Sequence, residues 1–382
     1  MSKQLAKGSK GGVPPWKEGE KIDLRVIHWS LWGPRVSGLY ETVRELVDAE
    51  MKIDGVLPSL CVLPHPNAPK AEQARHIQGG IVDPMHPMTR TQDWGYAMKH
   101  GDIHVIHFSF DQRLAKLTPK TCMMHGTPEA VISSGLKDKD DSKSLLSAAE
   151  WINTFKATFV TSQRAKKFWE VFDPSGEKLH LVNKGIDLDW WDRTSTVRDL
   201  PGEPSVLFGD VWRGIKHPML LLYAMNILYK ENPEIRLNTW ALNDSRAFWE
   251  RIVGAAGFWK FIGNEALGGI NDYPEHFYSR GDVLVSPVQA GDVSRVAQES
   301  MACGCPVISW DSDPYGDNHA YSLAKPFSIE DLADKIKKTC DDVLDDKDGV
   351  ARACRATAEK YYDINEEAES IVKVLRNIVN TS

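Results

Sequence analysis

Cysteine is scarce, and no pattern of it suggests a metal. Six cysteines, at 61, 122, 303, 305, 340 and 354, are spread over 382 residues with no CxxC pair and no Cys/His cluster. That excludes a zinc framework or a disulfide scaffold, and it reads as reduced thiols in the cytoplasm. Cys303-Gly304-Cys305 is too tight for the usual metal-ligand spacing and fits small buried residues. An excess of positive charge is also missing: 46 basic against 53 acidic residues leave −7, so the balance does not indicate nucleic-acid binding. No apolar run has the length of a membrane span. Residues 1–21 carry Lys3, Lys7, Lys10, Lys17 and Lys21 without an apolar core, and read as a flexible tail rather than a signal peptide. There is no G-x-x-x-x-G-K-[ST], G-x-G-x-x-G or G-x-S-x-G, which removes the phosphate loops of NTPases and dehydrogenases and the elbow of α/β-hydrolases.

What remains is an ordinary globular composition, 42% hydrophobic and 26% charged, long enough for two α/β domains. Strand-length apolar runs alternate with helical patterns, the rhythm of doubly wound parallel sheets. Strands are expected at 22–29, 58–63, 102–108, 119–124, 157–161 and 178–183. Helices are expected from Gly38 to about Met51, near 142–155 and at 162–171, the last capped by Ser162. Thr194–Pro204, with Pro201, Gly202 and Pro204, reads as a linker. The rhythm then restarts with strands at 205–209, 235–240, 258–262, 281–286 and 305–310. Helices are expected at 217–230, 246–255, 272–279 and 294–303, then at 328–345, 348–361 and 364–379. The organisation is therefore a tail (1–21), a Rossmann-like domain (22–195), a second Rossmann-like domain (196–361) and a terminal helix (362–382) packing back on the first domain. Such domains facing one another would leave a ligand cleft at the carboxyl ends of both sheets.

The most informative stretch is 281–310. A buried strand ends at the turn Ser286-Pro287, a loop with Gly291-Asp292 follows, and then a helix whose first turn offers N–H groups to an anion. Glu299 lies about one and a half turns in, within reach of a pair of ribose hydroxyls. This segment resembles the donor site of family 4 retaining glycosyltransferases, which carry a strand, "P-S", a Glu-Gly-Phe-Gly loop and "E-A-M-A-C-G-x-P-V-I". The resemblance implies that Glu299 holds the donor ribose. It also implies that the loop amides at Val293, Ser294, Arg295 and Val296 meet the donor phosphates or sugar. Gly291 stands where the family has the first glutamate of a spaced pair, and Asp292 is the nearest substitute.

Other pieces match in order, so that the resemblance spans roughly residues 22–361. Gly209, Arg213 and Lys216 correspond to the family's glycine and two cations on the donor diphosphate, a task suited to fixed positive charge. Phe261-Ile262-Gly263-Asn264 resembles the strand end whose backbone meets the nucleotide base. Asn183-Lys184-Gly185-Ile186-Asp187 resembles the "N-G-I-D" of the crossover between domains. In the first domain, Ser37-Gly38 matches the family's glycine loop, and Gly38 would let the backbone approach a phosphate or sugar. His125, ending a buried strand, matches a histidine near the reacting sugar, although a structural histidine fits that place too. Trp32 and Tyr40 are candidates for the acceptor side, whereas most of the thirteen tryptophans belong in the core.

The fold implied is GT-B and the activity retaining transfer from a nucleoside-diphosphate sugar to an unidentified acceptor, the nucleotide sugar being co-substrate rather than cofactor. Asp311-Ser312-Asp313 looks like a metal-binding DxD, but it matches a loop that carries no metal in the family, so metal independence is expected. A catalytically silent sugar- or nucleotide-binding subunit and a GT-B phosphorylase are the alternative readings.

Overall fold

The computed structural model describes residues 21–30, 38–62, 94–107, 114–125, 152–191, 200–210, 212, 216–239, 246–264, 275–288, 294–310 and 320–381. The chain divides into two units, Met1–Trp190 with Ile364–Ser382, and Trp191–Asp363. The linker expected at Thr194–Pro204 begins outside the described residues, and the division itself falls earlier. Trp191 is buried in the second unit, where its carbonyl accepts the Arg355 Nη1 proton at 3.1 Å.

The first unit is built on six parallel strands: β1 (Leu24–Ser30), β2 (Val56–Val62), β3 (Ile103–His107), β4 (Lys120–Met124), β5 (Thr158–Val160) and β6 (Leu179–Leu181), in the order β2-β1-β3-β4-β5-β6. Strands with both faces covered should be apolar throughout, and β3, β4 and β5 are buried at every position. Its helices are α1 (Gly38–Glu50), α2 (Trp94–His100) and α3 (Gln163–Trp169); Ser162 Oγ accepts the Ala165 N–H at 2.9 Å, which makes it the N-cap. Leu24, Val26, Ile103, Val105 and Met123 face α1 and the terminal helix; Ile27, Trp29, Ile106, Cys122 and Met124 face the other side.

The second unit repeats the plan with β7 (Ser205–Phe208), β8 (Arg236–Thr239), β9 (Ile262–Asn264), β10 (Val283–Val285), β11 (Val307–Trp310) and β12 (Tyr321–Ala324), ordered β12-β11-β10-β7-β8-β9 and parallel throughout. Its helices are α4 (Pro218–Glu231), α5 (Arg246–Ala255), α6 (Glu275–Tyr278), α7 (Arg295–Ala302), α8 (Ile329–Asp345) and α9 (Lys347–Tyr361). Helix α4 begins at Pro218, whose missing N–H costs nothing at a first turn, and buries Leu221, Leu222, Met225 and Leu228. Each such side chain is worth about 1.5–3 kcal/mol removed from water.

Three elements differ from the sequence-based expectation. The strand expected at 258–262 starts only at Ile262, because Phe258–Phe261 is a turn of 3-10 helix opened by Gly257 at φ 68°. Phe258 and Phe261, three apart, both reach the core while Trp259 and Lys260 stay exposed, which is a period of three rather than two. Helix α2 and strand β12, each shorter than eight residues, were not expected at all. The expected helix at 142–155 lies outside the described residues except at its end, where 152–154 are helical.

Helix α10 (Ile364–Thr381) belongs to the first unit and buries Ile364, Ala368, Ile371, Val372 and Leu375 on one stripe. Glu367 sits in that stripe and accepts the Gly185 N–H at 2.6 Å, while Glu45 on α1 accepts the Asp187 N–H at 3.3 Å. The Asn183–Asp187 segment is thus held by two carboxyls. Burial chiefly, with the charges of Glu50 and Glu45, pushes the Glu367 carboxyl up to about 8 against the pull of the Gly185 N–H and Lys184. The folded chain therefore keeps a proton that the unfolded chain releases above about 4.5, so this group's contribution is present at low pH and is lost as pH rises toward 8. Glu367→Gln should gain stability over the wild type as pH rises from 5 to 8.5, by on the order of 5 °C in Tm. An equal Tm difference at both pH values would contradict this.

Candidate functional site

In open parallel sheets, ligands bind outside the carboxyl ends of the strands where the strand order reverses. In the second sheet that point lies between β7 and β10. Gly209 and Asp210 follow β7, Ser286 follows β10, and Ser294 caps α7. These groups form one network. Asp210 pairs with Lys216 Nζ at 2.8 Å and accepts the Ser286 hydroxyl at 3.0 Å. Ser286 and Ser294 are 3.0 Å apart at their hydroxyl oxygens, and Ser294 accepts the Ala297 N–H. Since the Ser286 proton goes to Asp210, the Ser294 proton goes to Ser286, and every hydroxyl orientation is fixed. The turn at Ser286-Pro287 is clamped from β11, where Ser309 Oγ donates to the Ser286 carbonyl and Trp310 Nε1 to that of Pro287, both at 2.8 Å.

Glu299, 6% exposed, lies one turn further along α7. Its Oε1 accepts Arg295 Nε at 2.6 Å and its Oε2 accepts the Tyr278 hydroxyl at 3.0 Å. Burial, then the charges of Glu299 and Asp210, hold the Tyr278 phenol well above its ordinary range, so it stays a donor. Gly209 is required by this packing. A Cβ there would stand 2.8 Å from Val296 Cγ1 and 3.1 Å from Tyr278 Cε1. Gly209→Ala should therefore destabilise the protein by about 1–3 kcal/mol. Adding Val296→Ala should restore much of the loss in thermal unfolding, and no recovery in the double variant would contradict the contact.

The structure brings Gly209, Lys216, Ser294, Arg295, Val296 and Glu299 together. Gly263 and Asn264 are on β9, two strands from β7. A Cβ on Gly263 would meet Asn238 Oδ1 at 2.7 Å, so this glycine is needed for packing in any case. Asp210 and Tyr278 were missed as site residues by the sequence reading; the carboxylate directly after the strand-end glycine was the available signal for Asp210. Trp32, Arg213, Gly291, Asp292, Val293 and Asp311–Asp313 lie outside the described residues. Among the described residues no group of three His, Cys, Asp or Glu is arranged to hold a metal ion.

In the first unit, Gly38 opens α1 and Tyr40 lies in its first turn. His125 follows β4, half-buried, and its Nε2 lies 2.9 Å from His107 Nδ1. It is not a lone histidine. His107 Nε2 lies 2.9 Å from His28 Nδ1, and His28 Nε2 lies 2.8 Å from Glu50 Oε2. Burial first, and then Lys184, pulls the His125 imidazole down to about 3; burial also holds His107 well below its usual range, with His125 and His28 adding.

Comparison with known proteins agrees with this architecture. Residues 205–342 match the family model described as glycosyl transferases group 1. No curated protein sequence matches the chain. Among solved structures, a glycosyltransferase from Rickettsia africae aligns at TM-score 0.64 and 15% identity, over 95% of this chain and all of that one. Sucrose-phosphate synthase from Thermosynechococcus elongatus aligns at 0.70 and 15%, over 94% of this chain and all of its own. HepE from Anabaena, solved in complex with UDP, aligns at 0.65 and 15%, over 93% and 100%. The fold is that of GT-B glycosyltransferases, and the second unit carries the group 1 glycosyltransferase pattern.

Proposed function

We propose that this protein transfers a sugar from a nucleoside-diphosphate sugar to an acceptor, without a metal and with retention at the anomeric carbon. The observation that carries the reading is the cluster at the β7/β10 reversal: a fixed cation, a capped helix start and a buried carboxylate around one strand-end glycine. Lys216 spends one of its three donors on Asp210. The others, with Arg213 and the first amides of α7, would take the charge that grows on the departing diphosphate. Glu299 would accept the ribose hydroxyls, its orientation held by Arg295 and Tyr278. Retention follows from the family resemblance, by displacement on the face the diphosphate leaves, with that diphosphate helping to deprotonate the acceptor. Solved complexes of HepE with UDP and with UDP-glucose support a nucleotide-sugar donor. We infer a cytoplasmic setting from six free thiols, five of them buried. Among the described residues no helix is long and apolar enough to cross a membrane.

A thermal-shift panel of nucleoside diphosphates and nucleotide sugars, with and without divalent metal, tests the reading. At 100 times its dissociation constant a ligand adds about 2.7 kcal/mol. A shift for one base that is the same with and without metal is expected. No shift with any nucleotide would overturn the donor site.

A further inference from the structure

The chain Glu50–His28–His107–His125 is built into the first unit by strand register. His28 pairs with Val105, two residues before His107, and His107 pairs with Met123, two residues before His125. A step of two keeps a residue on one face of a strand, so the three imidazoles climb diagonally across the same face, the one that packs against α1. Their ring centroids are 5.2 Å apart at each step. The row runs across the reversal of strand order between β1 and β3. It starts at Glu50, which ends α1 and is fully buried with His28 and His107, and it finishes at half-buried His125. His125 Nδ1 is itself buried and has no hydrogen-bond partner among the described residues, so a ligand would have to displace what covers it.

A buried chain of this kind has a direction. A carboxylate only accepts, and a neutral imidazole donates from one nitrogen and accepts at the other. The charge on Glu50 is felt at Glu367, where it helps to keep the proton on that neighbouring carboxyl. With Glu50 anionic, His28 donates from Nε2 to it and accepts at Nδ1; His107 then donates from Nε2, and His125 donates from Nε2 in turn. All three contacts are satisfied in one arrangement, and it leaves Nδ1 of His125 bare. We propose that Glu50, through His28 and His107, is a positioning residue that fixes this tautomer and makes His125 Nδ1 the acceptor for a ligand hydroxyl. That the hydroxyl belongs to a donor sugar or its acceptor rests on the transferase reading; the tautomer does not. Among the described residues, Lys184, whose charge disfavours a cation at His125, and Glu367, which feels the charges of Glu50 and Glu45, are the other titratable groups coupled to the chain.

The test is NMR of the full chain with 15N-labelled histidine, free of ligand, at pH 7.5. His125 is expected with a protonated Nε2 and a bare Nδ1. Glu50→Leu removes the acceptor and should shift the His125 nitrogens toward mixed tautomers, although that residue lies three hydrogen bonds away. His107→Phe cuts the chain while keeping a ring, and should do the same if Glu50→Leu fails to fold. A protonated Nδ1 in the intact protein, or His125 nitrogens unmoved in both variants, would overturn the proposal. A purely structural role for Glu50 would not move them. Ligand titrations then separate the two sources of hydroxyl. A loss of about tenfold for nucleotide sugar with nucleoside diphosphate unchanged assigns it to the donor sugar, and an equal rise in acceptor KM assigns it to the acceptor. Neither change would overturn the hydroxyl role while leaving the tautomer result intact.

Discussion

Glu299→Gln is expected to weaken nucleoside-diphosphate binding by about a hundredfold, the size of two hydrogen bonds from a ribose to a charged acceptor reduced to ordinary ones. The carboxylate also answers Arg295 Nε at 2.6 Å and the Tyr278 hydroxyl at 3.0 Å, so the substitution disturbs two internal partners as well. Tyr278→Phe separates the effects. It removes one internal bond, leaves Glu299 charged, and should cost no more than about threefold in affinity. Isothermal titration with the nucleotide found in the thermal-shift panel makes the comparison. Equal losses in the two variants would mean that Glu299 acts only by holding α7 against α6.

Lys216→Met is expected to act mainly on rate. A fixed cation beside a leaving diphosphate stabilises charge that is larger in the transition state than in the bound donor, so kcat should fall about 10²–10³-fold with a smaller change in nucleotide affinity. The variant also leaves Asp210 without its ion pair at 6% exposure, so unfolding should be followed alongside. Asp210→Asn combined with Lys216→Met removes that unpaired charge. If the double variant regains stability but not turnover, the rate effect belongs to the lost cation. A double variant that recovers turnover would show that Lys216 serves Asp210 alone.

The sheets were legible in the sequence because both faces of a parallel strand are covered and its residues run apolar. Helix α7 was legible from the 281–310 stretch, where strand, turn and helix follow in thirty residues; that Ser294 caps it emerged only from the structure. Two things escaped for physical reasons. Phe258–Phe261 has the composition of a strand, and only the left-handed Gly257 decides for a 3-10 turn. Tyr278 and Asp210 are 21 and 76 residues from the groups they complete, Glu299 and Ser286, and such pairings depend on strand order. The histidine row was equally hidden. IDLRVIHW and DIHVIHF each carry a histidine near a strand end, but nothing local says that β1 and β3 are neighbours or that their register steps by two toward His125. His125 taken alone fits a place near the reacting sugar, with a structural residue as the competing reading.

Turnover of a nucleotide sugar at the β7/β10 reversal is the activity we propose for this chain. The direct measurement is release of nucleoside diphosphate from a panel of nucleotide sugars, with candidate acceptors, comparing the wild type with Lys216→Met at saturating donor. Metal-independent release is expected for one donor, falling at least a hundredfold in the variant. Tight binding of that donor with no release under any acceptor would contradict it and leave a sugar-nucleotide-binding subunit in its place.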